Sequence, residues 1–245
     1  MSKLTTQWRS RHLGGEQVQI ARWGVQGRPV LLFPTAGGDA EECERFLMIR
    51  VLTPLIEAGR IKVFSCDSVA GRAWISSEHS PAYKARVQNV FNDFLIEELI
   101  PAIRSDCRSS DVEVISAGAS IGAYNSLVAL CRNPQIFRMA ICMSGTYDLA
   151  RWMQGQHTSD LHLVSPLHFV PYLQENSPQL ALLRRRLVLL PTGEGRWEAP
   201  DESWKVANVL GKRGIPNRVD LWGEGYDHDW ITWREMLPKY LDEFA

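Results

Sequence analysis

The chain has 245 residues, a formal net charge of −1, 45% hydrophobic residues and 22% charged residues. This length suits one large α/β domain or two small ones, and the near-neutral charge predicts neither a nucleic acid nor an anionic membrane surface as a partner. No apolar run approaches the ~20 residues of a membrane helix, and the first residues lack the apolar core of a signal peptide.

Short apolar runs alternate with amphipathic segments along the chain. An N-terminal hairpin around two glycines, followed by buried apolar runs, predicts about eight strands at 4–11, 17–23, 29–33, 61–65, 112–117, 139–143, 187–190 and 218–222. Apolar residues at helical spacing predict helices at 41–57, 85–103, 123–130, 203–212 and 230–244, with a kink at Pro101 and a loop around 71–81. Strands that alternate with helices pack as a mostly parallel sheet with helices on both faces, so we expect an α/β fold. No linker or repeat divides residues 1–245, which predicts a single domain.

One of these strands leads into a helix through the sequence Gly118-Ala119-Ser120-Ile121-Gly122. A G-x-S-x-G turn between a strand and a helix is typical of a nucleophile elbow, in which a strained serine exposes its hydroxyl above the sheet. The alternative is a plain tight turn with a capping serine. The choice depends on whether a base and an acid follow at suitable positions.

A histidine follows between the last predicted strand and the last predicted helix, within Gly225-Tyr226-Asp227-His228-Asp229-Trp230. With the elbow, this arrangement resembles the α/β-hydrolase superfamily and, within it, the serine esterase branch. The resemblance implies a triad in the chain order serine, acid, histidine, with Ser120 as nucleophile and His228 as general base. Without Ser120, His228 reads as an ordinary surface residue of a charged turn.

The acid is the least defined member of the implied triad. The resemblance implies a carboxylate just after the strand that ends near Leu190-Pro191. Glu198 ranks first because it lies mid-loop, where the chain has room to turn toward His228. Asp201, which also suits a helix N-cap, and Glu194 rank behind it, and Asp148 ranks last.

The resemblance also implies an oxyanion hole and a substrate pocket. The backbone N–H of Ile121 is the first expected oxyanion donor, and that of Ala36 the second, with Thr35 or Gly37 as alternatives. The irregular segment 146–179 is expected to act as a lid or pocket wall, although a packed connection is the alternative. The pocket candidates are Trp152 and Phe169 in this segment and Trp74, which could equally lie in the core.

The predicted function is hydrolysis of a small carboxylic ester through an acyl-enzyme on Ser120. An acyltransferase with the same triad, or a non-catalytic binding protein of the same fold, is the alternative. No cofactor is implied, and Asp227, His228 and Asp229 lie too close together on one loop to predict a metal site. Five scattered cysteines without a C-x-x-C pair predict free thiols in the cytoplasm. The sequence does not indicate the oligomeric state.

Overall fold

Eight strands form one sheet in the computed structural model, which describes residues 2–245 and, for residue 151, the backbone alone. The strands are β1 (Lys3–Arg9), β2 (Gln17–Trp23), β3 (Arg28–Phe33), β4 (Ile61–Cys66), β5 (Val114–Ala119), β6 (Phe137–Met143), β7 (Leu187–Thr192) and β8 (Asn217–Leu221). Their order is β1-β2-β4-β3-β5-β6-β7-β8. The β1–β2 and β2–β4 pairs are antiparallel and the other pairs are parallel. The mostly parallel sheet predicted from the sequence is confirmed.

Within residues 2–245, twelve α-helical segments lie between the strands or follow the last one. They are α1 (Glu42–Arg45), α2 (Met48–Glu57), α3 (Val69–Ile75), α4 (Pro81–Phe94), α5 (Ile100–Asp106), α6 (Ile121–Arg132), α7 (Ala150–Met153), α8 (Ser159–Val164), α9 (Pro166–Phe169), α10 (Pro178–Leu183), α11 (Pro200–Lys212) and α12 (Trp230–Phe244). A π-helical turn at Leu95–Leu99 joins α4 to α5, and a 3₁₀ turn at Val170–Tyr172 follows α9.

The central strands are buried because helices cover both faces of the sheet. On β3, Leu31 and Phe33 pack into one apolar cluster with residues of α4, α6 and α11. Val30 and Leu32 point to the opposite face and pack with residues of α2 and α12. Alternate side chains of a strand point to opposite faces, so a wholly apolar strand feeds both clusters. The predicted layers on both faces are confirmed.

The structure corrects three predicted helices or loops. The helix predicted at 41–57 is divided at Phe46 and Leu47, where Leu47 takes a left-handed φ of 63°. The loop predicted around 71–81 contains α3. In the helix predicted at 85–103, a π-helical turn at Leu95–Leu99 precedes Pro101. The proline ring would collide with the Glu97 carbonyl four residues back, and the chain widens into the π-helical turn there.

Parallel strands direct the loops that follow them to one edge of the sheet. The loops after β3, β5, β6, β7 and β8 therefore meet at the carboxyl edge, where α/β sheets place their ligands. This edge holds the predicted serine, acid and histidine. The single domain predicted for residues 1–245 remains a prediction, and residue 1 lies outside the described range.

Candidate active site

The elbow between β5 and α6 holds Ser120 in a conformation that favours glycine. Its φ is 56° and its ψ is −122°, and a non-glycine residue pays a strain cost there of roughly 1–3 kcal/mol. A Cβ on Gly118 would lie 2.3 Å from the carbonyl carbon of Gly122, and one on Gly122 would lie 2.6 Å from the carbonyl oxygen of Phe33. Both glycines are therefore needed so that β5, α6 and the end of β3 can approach closely.

The acid and the histidine come from the loops after β7 and β8. His228 Nδ1 lies 3.6 Å from Glu198 Oε2, an ion-pair distance longer than a hydrogen bond. The Glu198 side chain is 1% exposed and that of His228 is 24% exposed. The ring of Trp233 meets the imidazole edge to face, with centroids 5.1 Å apart. Since Nδ1 faces the carboxylate, Nε2 on the other edge of the ring is the atom available to a substrate.

Hydroxyl groups at the ends of two other strands fix the Glu198 carboxylate. Ser144 Oγ, just after β6, donates to Oε1 at 2.6 Å, and Thr192 Oγ1, the last residue of β7, donates to Oε2 at 3.1 Å. Ser144 Oγ in turn accepts a hydrogen bond from Trp233 Nε1 at 3.0 Å. The buried carboxylate thus accepts a hydroxyl hydrogen bond on each oxygen, which satisfies both oxygens away from water.

Residues 192–198 and 223–229 together form what we call the acid–histidine wall. Backbone bonds continue the β7–β8 pairing into these loops, from Glu194 N to Gly223 O, Gly195 N to Tyr226 O and His228 N to Arg196 O, each at 3.0 Å. Arg196 also donates from its backbone N and its Nε to the Asp227 carboxylate, at 2.7 and 2.8 Å. Several independent bonds therefore set the position of Glu198 relative to His228.

The second side of the site is the loop 34–38 after β3, here called the oxyanion loop. Thr35 donates from its backbone N and its hydroxyl to the Glu42 carboxylate, at 2.7 and 2.6 Å. Glu42 is 6% exposed, and a Cβ on Gly38 would collide with its carboxylate. Because the Thr35 N–H is already bonded and Pro34 has none, Ala36 and Gly37 are the residues of this stretch left to donate.

A cavity of about 430 Å³ opens beside Ser120 and the acid–histidine wall. It is lined by Ser120, Ser144, Gly145, Thr146, Asp148, Ala150, Trp197, Ala199, Glu202 and His228. The elbow serine and the histidine thus face one space, at the N-terminal end of α6. The unpaired N–H groups at a helix N-terminus favour a negative charge beside them. This arrangement can activate a serine and stabilise an oxyanion.

The family model described as Putative esterase matches residues 55–244. The chain belongs to this family. The family and the class of enzyme predicted from the sequence, a carboxylic ester hydrolase of the α/β-hydrolase fold, are thereby confirmed. No curated protein matches the sequence.

Solved structures of other hydrolases share the fold of this esterase family member. A ferulic acid esterase aligns with 16% identity, 98% of this chain and 96% of its own, at a TM-score of 0.76. An S-formylglutathione hydrolase from Agrobacterium tumefaciens aligns with 12% identity, over 98% of this chain and 93% of its own, at a TM-score of 0.74. The fluorophosphonate-binding serine hydrolase F of Staphylococcus aureus aligns with 14% identity, over 99% of this chain and 97% of its own, at a TM-score of 0.68.

The three predicted pocket aromatics do not line the cavity of this esterase family member. Trp74 is fully buried, donates from Nε1 to Gln88 Oε1 at 2.9 Å and packs on Tyr124 and Trp152. Phe169 is 8% exposed in the same apolar cluster, and Trp152 packs against it. The sequence prediction is corrected here: these rings fill the core because their neighbours, chiefly α4 and α6, bring apolar faces to them.

The segment 146–179 meets the cavity at its beginning. Thr146, Asp148 and Ala150 line the cavity, whereas the short helices further along pack on the core. Glu202 fastens this beginning, because its Oε2 accepts the backbone N–H groups of Tyr147 and Asp148 at 2.8 and 2.7 Å. The start of the segment therefore lines the cavity and is bonded to Glu202, and its role as a pocket wall remains a prediction.

The other acid candidates lie in different settings. Glu194 is exposed, and Asp201 is an exposed residue of the first turn of α11 rather than its N-cap. Asp148 accepts from Ala150 N and pairs with Lys205 at 3.2 Å. The hydrogen bond from the Ala150 backbone, and to a smaller extent the one from Lys205, holds the pKa of Asp148 below its usual value. Among these candidates, Glu198 is the one that the structure places against His228.

Both aspartates beside His228 make hydrogen bonds within the fold. Asp227 is bonded to Arg196, and Asp229 caps α12 by accepting from Ile231 N at 2.9 Å. Within residues 2–245, no three histidine, cysteine or acidic side chains come together as a metal site.

Sequence reasoning missed Ser144, Glu202 and Trp197 as site residues. Ser144 and Glu202 carry no motif, and their roles depend on contacts between distant parts of the chain. For Ser144 a weak signal exists, because the residue directly follows a predicted buried strand, where α/β folds place functional groups. Trp197 had a similar signal, since it adjoins the favoured acid.

Proposed function

We propose that the chain is a serine esterase in which Ser120, His228 and Glu198 act as the catalytic triad. The observation that carries this proposal is the strained Ser120 in one cavity with a histidine whose Nδ1 faces a buried carboxylate. A serine needs a base to become a nucleophile, and a carboxylate on the far nitrogen fixes the tautomer of that base.

In the first half-reaction, Ser120 Oγ attacks the carbonyl carbon of the ester while His228 Nε2 takes its proton. The tetrahedral oxyanion accepts hydrogen bonds from the backbone N–H groups of Ile121 and Ala36, or Gly37 in place of Ala36. The ester C–O bond then breaks, and the imidazolium gives its proton to the alcohol that leaves. Glu198 stabilises the imidazolium through Nδ1.

In the second half-reaction, water replaces the alcohol. His228 takes a proton from the water, whose oxygen attacks the acyl carbon, and Ser120 Oγ leaves with that proton. The products are the carboxylic acid and free enzyme. An alcohol or amine in place of water would give acyl transfer, so the yield of new ester when alcohol is added measures how far the transferase alternative holds.

The cysteines support a reducing compartment, and we propose the cytoplasm. All five are free, four of them buried. Burial raises the pKa of each thiol, that of Cys142 to about 12, which keeps them protonated and unreactive. No helix in the described part of the chain is both long enough and apolar enough to cross a bilayer.

The test is loss of ester hydrolysis in Ser120→Ala and His228→Ala. Each should lower kcat by roughly 10⁴–10⁶, because triad members act as a unit. A fluorophosphonate probe should label the wild type at Ser120 and should not label Ser120→Ala. Thermal unfolding of each variant checks that the fold is retained. Retention of more than about a tenth of wild-type kcat by a folded variant would refute the triad.

A further inference from the structure

Trp197 is an unusual residue at the edge of the cavity. Its side chain is 81% exposed, and it lines the cavity together with Ser120 and His228. An exposed indole forgoes the free energy that burial of a large apolar side chain provides. The guanidinium of Arg196 lies over the ring, 5.5 Å from a ring centroid, and this partner is itself largely exposed.

The backbone at Trp197 adds a second cost. Its φ is 62°, and it is the third residue of a turn closed by a bond from Glu198 N to Gly195 O at 3.3 Å. Glycine and asparagine favour this turn position, whereas a bulky residue is strained there. Strained non-glycine residues gather at functional sites. Part of the strain serves to direct Glu198 toward His228, but any αL-tolerant residue would do this without an indole.

The charges around the cavity disfavour one class of ligand. Asp148 and Glu202 line it, and no lysine or arginine does so among the described side chains. Lys205 pairs with both acids, at 3.2 and 2.7 Å, so these three side chains together carry one negative charge, and Arg196 beside Trp197 is paired with Asp227. A carboxylate or phosphate on the substrate would be repelled there, whereas an uncharged flat group would not.

From these contacts we infer that the site takes esters with an uncharged aromatic group, which stacks on the exposed face of Trp197. This inference rests on the proposed function, because the ring binds beside the carbonyl that Ser120 attacks. The indole supplies a flat apolar surface with few rotatable bonds, and stacked rings gain more than their buried area alone predicts.

The test compares matched ester pairs with equal carbon number. Methyl hydrocinnamate and methyl nonanoate differ on the acyl side, and benzyl acetate and heptyl acetate differ on the alcohol side. In at least one pair, the wild type should prefer the aromatic member by roughly threefold to tenfold in kcat/KM. A wild type without this preference in either pair would overturn the inference.

The variants separate the ring from the turn. Trp197→Asn keeps a residue that tolerates positive φ and removes the indole, so the preference should disappear. Trp197→Phe keeps a ring and should retain most of it. Trp204→Asn is the matched control, because Trp204 is 45% exposed on α11 and does not line the cavity. An unchanged preference in Trp197→Asn, or its loss in the control, would refute the role of Trp197.

Binding without turnover separates this inference from the proposed function. In Ser120→Ala, titration calorimetry with the two methyl esters should give the same order of affinity as the wild-type rates. Aromatic preference in binding without hydrolysis by the wild type would refute the esterase mechanism and keep the inference. Hydrolysis without preference would do the reverse. A carboxylate on the hydrocinnamate ring should weaken binding, and tighter binding would overturn the argument from charge.

Discussion

The acid–histidine wall and the oxyanion loop, which lie on different sides of the elbow, are held in place by different means. The acid–histidine wall is tied by backbone bonds between two loops, by hydroxyl bonds to Glu198 and by the Arg196–Asp227 pair. In the oxyanion loop, one buried carboxylate, that of Glu42, accepts both donors of Thr35. The wall should therefore tolerate the loss of a single tie, whereas both donors of Thr35 in the oxyanion loop depend on Glu42.

The largest effect is expected where the wall carries the chemistry itself. Glu198→Gln keeps the size of the side chain and removes the charge that stabilises the imidazolium, so kcat should fall by roughly 10⁴. Steady-state kinetics on an activated ester measures this. The amide variants of Glu194, Asp201 and Asp148 are the controls. A near-normal rate for Glu198→Gln beside a collapse in one of these would move the role of acid to that residue.

The next effect tests the dependence of the oxyanion loop on Glu42. Glu42→Ala removes both acceptors of Thr35, and kcat should fall by roughly 10–100-fold with little change in KM, because a displaced donor weakens transition-state binding. Glu42→Gln should restore most of the rate, since an amide can accept from the Thr35 N–H and donate to its hydroxyl. Equal losses in both variants would show that the carboxylate charge, rather than the anchoring bonds, matters.

The smallest effect is expected from removal of one tie in the wall. In Asp227→Asn, kcat should remain within about threefold of the wild type, because the backbone bonds between the loops persist. A fall in kcat of more than tenfold in a folded variant would show that the wall depends on the Arg196–Asp227 pair. The wall would then be no more tolerant of a single loss than the oxyanion loop.

The Arg196–Asp227 pair should also make the stability of the fold depend on pH. The backbone and side-chain bonds from Arg196 hold the pKa of Asp227 below its usual value. A carboxyl group with a depressed folded-state pKa contributes stability above its unfolded pKa of about 3.9 and loses it as the pH falls. The stability difference between wild type and Asp227→Asn should thus be constant near neutral pH and shrink below about pH 4. Urea unfolding at several pH values measures it.

The sequence predicted most of the sheet, and it brought together the main residues of the candidate site, whose roles remain a proposal. Buried strands such as 61–65 were readable because apolar runs of this length fit a sheet covered on both faces. The elbow could be predicted because the close backbone contacts of this turn require glycine at positions 118 and 122. Glu198 could be favoured by its place in a loop, but its contacts with Ser144 and Thr192 depend on strand neighbours that no local pattern shows.

The aromatic residues show where such reasoning ends. Trp74 and Trp197 are the same residue type, and each lies in a segment predicted to be a loop. Trp74 became core because α3 forms there and Gln88 satisfies its indole N–H. Trp197 remained at the surface because a turn with positive φ directs it outward. Both outcomes depend on distant or conformational contacts, so composition and spacing could not separate them.

The strained backbone at Ser120 implies that catalytic competence and thermodynamic stability are opposed at this one position. Its φ and ψ are imposed by the close approach of Gly118, Gly122 and Phe33, which no substitution at position 120 relieves. Glycine adopts this conformation freely, so Ser120→Gly should unfold at a higher temperature than Ser120→Ala, by a margin equivalent to about 1 kcal/mol. With Ser120 as the proposed nucleophile, the more stable of these variants would still be inactive, and selection for stability alone would not retain a serine at this position.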